Sequence, residues 1–142
     1  MEQAVFSLKN YCFNKVSLDF SEVTSSQIRL DIAPLGLYDS KNNLFSLTFV
    51  FNAYSTTSDE QGLPIEKRLV NIQCVAEFEF KNIKGFDDIP PYFYSNSIAI
   101  LFPYVRAFVS TVTLQANVPP MVLPTMNLSS LQEELKKNTK VQ

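Results

Sequence analysis

The feature that most constrains this chain is a change of hydrophobic period along its length. Up to Asn82 apolar side chains recur at every second position, and from Ile98 they recur at spacings of three and four. In Asn43–Asn52, Phe45, Leu47, Phe49 and Phe51 share one side, with Leu44, Ser46, Thr48 and Val50 on the other. In Leu69–Asn82, Val70, Ile72, Cys74, Ala76, Phe78 and Phe80 oppose Asn71, Gln73, Glu77, Glu79 and Lys81. Ala4–Phe20 reads as a strand long enough to bend or carry a bulge. Gln27–Ala33 is a shorter strand, with Ile28, Leu30 and Ile32 on one face and Arg29 and Asp31 on the other. Ser21–Ser26, Pro34–Asn43 and Ser55–Lys67 read as polar connections. Four strands joined without helical crossovers predict an antiparallel sheet.

The second pattern places Leu101, Phe102, Val105, Phe108, Val109 and Val112 on a helix, with Ser95, Asn96 and Ser97 as candidate caps. Pro103 predicts a kink or a helix start within it. Ala116–Asn127 holds prolines and the apolar Met121, Val122, Leu123 and Met126, and reads as an extended connector. Asn127 then caps a short helix carrying Leu128, Leu131 and Leu135 on one face, and Lys136–Gln142 reads as a fraying tail. Strands followed by helices define an α+β fold in a single domain over residues 1–142, with a sheet region at 1–94 and a helix, connector and short helix at 95–138.

Composition narrows the chemistry. The 142 residues include no histidine, which removes His-assisted nucleophiles and the commonest metal ligand. Three scattered glycines cannot form a phosphate-binding loop. A net charge of −2 gives no sign of a nucleic-acid partner. Cys12 and Cys74 stand far apart with no CxxC pair, so neither a zinc site nor any other metal is expected, and both read as small buried apolar groups in a reducing compartment, with a disulfide between them as the alternative. The N-terminus lacks a signal-peptide pattern, and the apolar run Ile98–Val105 is too short to span a bilayer, so a cytoplasmic location without membrane insertion is expected.

Candidate catalytic groups are weak. Glu77 and Glu79 alternate on the polar face beside Lys81 and read as a solvated sheet surface. Asp87 and Asp88 read as turn chemistry, and Glu133 and Glu134 as an exposed helix face. Arg106 is either an ion-pair partner or snorkels to water. Ser110 and Thr111 lack a recognisable base. No cofactor and no enzymatic activity are expected. The flexible methionines and rigid prolines of the connector, by contrast, suit a groove for varied apolar segments.

Ile100-Leu101-Phe102-Pro103-Tyr104 followed by Arg106, and the connector through Pro119 to Leu128, resemble the SecB family of bacterial export chaperones. Ile28-Arg29-Leu30-Asp31 and Phe78–Ile83 resemble that family's second and fourth strands more loosely. The resemblance implies a four-stranded antiparallel sheet with two helices on one face. It implies a homotetramer, a dimer of dimers, with the long helix in the subunit interface through Leu101, Tyr104, Val105 and Phe108. It implies an ATP-independent holdase that keeps unfolded or pre-secretory chains in a groove, in support of protein export. The implied client-binding residues are Ile28, Leu30, Ile32, Val118, Pro119, Met121 and Leu123, with Phe78 and Phe80 as weaker candidates. Docking to the SecA motor is implied through Asp19, Leu69 and Asn71. Lys15 and Asn71 stand where that face should be acidic, and the C-terminus is basic rather than acidic, which weakens the SecA inference. A dedicated chaperone of one partner, such as an antitoxin, is the alternative. A small enzyme or ligand-binding protein on a related scaffold is the reading from another class.

Overall fold

The computed structural model describes residues 5–21, 27–124 and 127–142. Ala4, most of the Ser21–Ser26 connection and Met126 lie outside the described residues. In chain order the elements are β1 (Phe6–Leu18), β2 (Ile28–Asp39), β3 (Leu44–Ser58), β4 (Pro64–Phe80), α1 (Tyr92–Gln115), α2 (Leu128–Lys137) and β5 (Thr139–Val141), with a 3-10 turn at Phe86–Asp88 before α1.

The strands form one sheet in the order β1-β4-β3-β2-β5. β1 to β4 are mutually antiparallel, as their alternation predicts, and β5 lies parallel to β2. The expected four-stranded antiparallel sheet is therefore corrected to a mixed sheet of five strands. Part of the tail predicted to fray is β5: Gly36 N–H donates to the Asn138 carbonyl, and Gln142 N–H donates to the Tyr38 carbonyl at 2.8 Å. Gly36 makes this close approach possible. A Cβ there would lie 2.5 Å from Thr139 Oγ1 and 2.6 Å from the Phe45 ring.

β2, β3 and β4 all run further than their alternation suggested. Pro34 sits inside β2 because its nitrogen faces away from β3 and is asked for no ladder bond. The β3–β4 hairpin closes around Asp59, whose carboxylate accepts the N–H groups of Gln61 and Leu63, and around Gly62 at φ 82°. β1 carries two bulges. Its pairing steps from Leu8↔Phe78 to Asn10↔Glu77 and from Phe13↔Cys74 to Lys15↔Gln73, leaving Lys9 and Asn14 as extra residues.

The core lies between one sheet face and the helices. Phe45, Leu47, Phe49 and Phe51 of β3 and Ile72, Cys74, Ala76 and Phe78 of β4 meet Phe93, Ile98, Leu101, Val105 and Val109 of α1. Leu131 and Leu135 of α2 complete it on the β2 side. Helix α1 starts at Tyr92, ahead of the candidate caps Ser95, Asn96 and Ser97, because Pro91 with φ −55° presets the first turn. It runs through Pro103 to Gln115. Pro103 and Ala99, whose carbonyl loses its donor there, both lie on the exposed side of the helix. By length and composition α1 could span a bilayer, which the short run Ile98–Val105 does not suggest. Its most apolar face is spent on the sheet instead.

Candidate functional site

α2 packs on β2 and on α1, and leaves part of the helix-side sheet surface uncovered. That surface is the N-terminal half of β2. Ile28, Leu30 and Ile32 pair with Ser55, Ala53 and Phe51, so they share the core-facing side of the sheet. Yet Ile28 is 48% exposed, and Leu30 and Ile32 are half-buried. These are apolar side chains on the inner face that no helix seals.

The connector is fixed relative to α1 by hydroxyls. Asn117, at φ 60°, ends α1 in a left-handed C-cap: Asn117 N–H donates to the Leu114 carbonyl and Val118 N–H to the Thr113 carbonyl. Thr113 Oγ1 donates to the Val109 carbonyl at 2.8 Å and accepts Met121 N–H at 3.0 Å. Ser110 Oγ donates to the Met121 carbonyl at 2.9 Å. Both backbone groups of Met121 are thus held by α1, and its side chain and that of Leu123 are buried. Val122, between them, is 64% exposed, and Pro119 and Pro120 are exposed. Sequence reasoning missed Ser110 and Thr113 as the clamp. The available signal was two hydroxyl residues three apart near the end of an apolar helix, ahead of a proline-rich segment.

The expected groove residues therefore separate. Ile28, Leu30, Ile32, Val118 and Pro119 keep accessible surface, whereas Met121 and Leu123 anchor the connector from beneath. Phe78 and Phe80 belong to an aromatic cluster around Phe93, whose ring centroid lies 4.7 Å from Phe45, 4.8 Å from Phe6, 4.8 Å from Phe80 and 5.5 Å from Phe78. Phe78 pairs with Phe45, and Leu30 pairs with Ala53, eight residues further along β3. At about 3.4 Å per residue that places them roughly 27 Å along the sheet from Leu30.

Of the expected docking residues, Asp19 is exposed. Its carboxylate accepts the N–H and hydroxyl of Ser21 and lies 3.3 Å from Lys67 Nζ. The Ser21 hydrogen bonds, with help from Lys67, hold it below the usual carboxylate range. Leu69 is the extra residue of a bulge in β4 and is 1% exposed. Asn71 is 5% exposed, and its Nδ2 donates to Asn52 Oδ1 at 2.7 Å. Of the expected interface residues, Leu101 and Val105 are buried in the chain's own core, Tyr104 is 42% exposed and stacked on Tyr11, and Phe108 stacks on Phe13.

The candidates for chemistry are dispersed. Arg106 is exposed, and Asp88 accepts Lys84 N–H in a turn. Cys12 is exposed rather than buried, and Cys74 is buried; both are free thiols. Cys12 pairs with Val75, one position from Cys74, so the two side chains leave the sheet on opposite faces. Burial pushes the Cys74 thiol up to about 11, too high for a reactive thiolate at neutral pH. Among the described residues no group of three or more His, Cys, Asp or Glu gathers that could hold a metal. What the arrangement offers is apolar surface along the N-terminal half of β2.

The site thus combines a mixed sheet with two helices, an apolar strand half left partly open, and a proline-rich connector clamped to α1. The family profile of the preprotein translocase subunit SecB matches residues 20–139, and the chain belongs to the SecB family. The SecB-like chaperone Rv1957 of Mycobacterium tuberculosis, solved in complex with a ChAD peptide from the HigA1 antitoxin, shares the fold with a TM-score of 0.63. It is 13% identical, and the match covers 86% of this chain and 91% of that one. An uncharacterised protein of Methanocaldococcus jannaschii is 41% identical over 63 residues, which is 42% of this chain. The match spans 41% of that relative's length.

Proposed function

We propose that this chain is an ATP-independent holdase that binds unfolded or pre-secretory polypeptides, in support of protein export. The observation that carries the reading is the incomplete cover over β2: Ile28, Leu30 and Ile32 lie on the core side of the sheet but remain partly open. A client apolar side chain buried there gains about 1.5–3 kcal/mol, at roughly 25 cal/mol per Å2. Several such side chains hold a segment without any nucleotide, and release follows when folding or a downstream receptor competes for it. The client surface is Ile28, Leu30 and Ile32 of β2 together with Val118, Pro119 and Val122 of the connector, with Met121 and Leu123 as anchors of that connector.

The holdase works as a homo-oligomer in the cytoplasm. The outer side of α1 exposes Ile100, Tyr104 and Leu114 at 38%, 42% and 60%, an apolar stripe suited to a second copy. A dimer of dimers follows if two such surfaces are used, with Tyr104 at the contact.

The second reading, a chaperone dedicated to one partner such as an antitoxin, is favoured by two observations. Lys15 is exposed and Asn71 buried where an acidic docking face for the SecA motor is expected. The mycobacterial relative was solved with an antitoxin peptide. Diluting a denatured, aggregation-prone protein into buffer with this chain and without ATP tests both readings. Suppressed light scattering with several unrelated clients supports the general holdase. Failure with all of them, together with binding of one antitoxin segment, supports the dedicated chaperone.

A further inference from the structure

The two edges of β2 are used differently along its length. Thr56 N–H donates to the Gln27 carbonyl, which fixes the parity of the ladder: odd-numbered residues of β2 exchange hydrogen bonds with β3. Even-numbered residues therefore point their N–H and C=O groups at the opposite edge. At Gly36 and Tyr38 these groups are taken by the β5 segment, through Asn138 and Gln142. At Ile28, Leu30 and Ile32 they meet no partner among the described residues. These same three residues present their half-open side chains to the groove. Pro34, which has no N–H, separates the taken stretch from the open one.

We infer that this open stretch captures a client as an added strand, so that backbone pairing and side-chain burial act on the same client residues. The inference rests on the holdase reading and names how its groove recognises a chain. The occupant is an extended polypeptide with apolar residues at alternate positions. Its apolar side chains join Ile28, Leu30 and Ile32 on the inner face, and its polar ones join Arg29 and Asp31 on the outer face. β5 supports this directly, because a three-residue piece of the protein's own chain already pairs on that edge. Backbone pairing also suits a binder of varied sequences, since every client has the same main-chain groups.

The test uses the full-length protein and a short peptide alternating Val and Ser, with lysines at both ends. Two versions carry N-methyl groups, one on every Val and one on every Ser. An added strand turns only one of these sets toward β2. The expected result is that one methylated version loses binding by about tenfold or more while the other binds like the parent. Hydrogen exchange of the Ile28, Leu30 and Ile32 amides slows when the parent peptide is bound. The Val set is the damaging one for an antiparallel client and the Ser set for a parallel one. Equal behaviour of the two methylated versions overturns the inference and leaves the holdase reading standing. Failure of the parent peptide to bind a protein that still suppresses aggregation overturns it too. Failure of both peptide binding and suppression removes the holdase reading itself, and the inference with it.

Discussion

The rings of Phe13 and Phe108 stack with centroids 4.0 Å apart and planes 13° from parallel, which ties the edge strand β1 to the outer flank of α1. Phe13 lies between the two bulges of β1, so the strand's twist is set where the stack needs it. Phe13→Ala is expected to destabilise the protein by about 2 kcal/mol, less than for a fully buried phenylalanine because both rings are half-buried. Phe108→Ala should cost a similar amount. The double variant should cost less than the sum by roughly 0.5–1.5 kcal/mol. Urea denaturation of the four proteins measures all three values, and strict additivity would show that the stack contributes nothing specific.

At Gly36 a single methyl group should disturb the sheet edge. The Cβ of Gly36→Ala would press on Thr139 Oγ1 and the Phe45 ring. A loss of about 1–3 kcal/mol is expected from overpacking. The Gln142 amide, which donates to Tyr38, should exchange faster with solvent than in the parent protein. An unchanged denaturation midpoint would mean that β5 detaches without cost.

The connector clamp can be tested with a near-isosteric change. Thr113→Val removes the hydroxyl that accepts Met121 N–H and leaves that buried donor unpaired. The expected cost is about 1–3 kcal/mol, and Thr113→Ser should restore most of it. Client binding should weaken in the valine variant as the connector loosens, read by light-scattering suppression at a temperature where the variant remains folded.

Groove and core residues should behave oppositely. Ile28→Asp adds a charge at a site that is 48% exposed, so the melting temperature should move little while the chaperone concentration needed to suppress aggregation rises several-fold. Phe78→Ala, in the sealed aromatic cluster, should cost about 3–5 kcal/mol, and any loss of holding should follow from unfolding. A large melting shift for Ile28→Asp would move that residue from groove to core.

The two thiols give a pH-dependent prediction. Cys74 has its folded value raised from 9.0 to about 11 by burial. The unfolded chain therefore loses that proton first. The stabilisation is fully present below about pH 9 and is lost as pH rises from about 9 to 11, by an amount on the order of 2 kcal/mol. Cys74→Ala should flatten that part of the stability curve relative to the parent. At pH 8 iodoacetamide should label Cys12 in the folded protein and reach Cys74 only in denaturant.

The strands, their inner faces and the long helix were legible because each rests on a period that a few neighbouring residues reveal. Phe45 to Phe51 and Val70 to Phe80 show which side is buried without knowledge of the partner strand. Asn127 was legible as a cap for the same local reason: its Oδ1 accepts the N–H groups of Ser129 and Ser130. β5 was not legible. Thr139, Lys140 and Val141 carry no pattern of their own, and they pair because Gly36 leaves room for Thr139. The start of α1 was misplaced because serines and asparagine are the usual caps, while here Pro91 presets the first turn. The division of the connector into inward Met121 and Leu123 and outward Val122 depends on the Thr113 hydroxyl, a tertiary contact that spacing does not encode.

Pro34 has a structural consequence at the far end of the chain. β5 follows α2 after one residue, Asn138, so toward Pro34 β5 could lengthen only by drawing residues out of the last turn of the helix. Those residues would have to pair with β2 next to Gly36, where Pro34 has no hydrogen to give. One absent N–H thus acts as a stop mark, fixing the point at which helix becomes strand and keeping the protein's own tail from competing for the ground that lies beyond it.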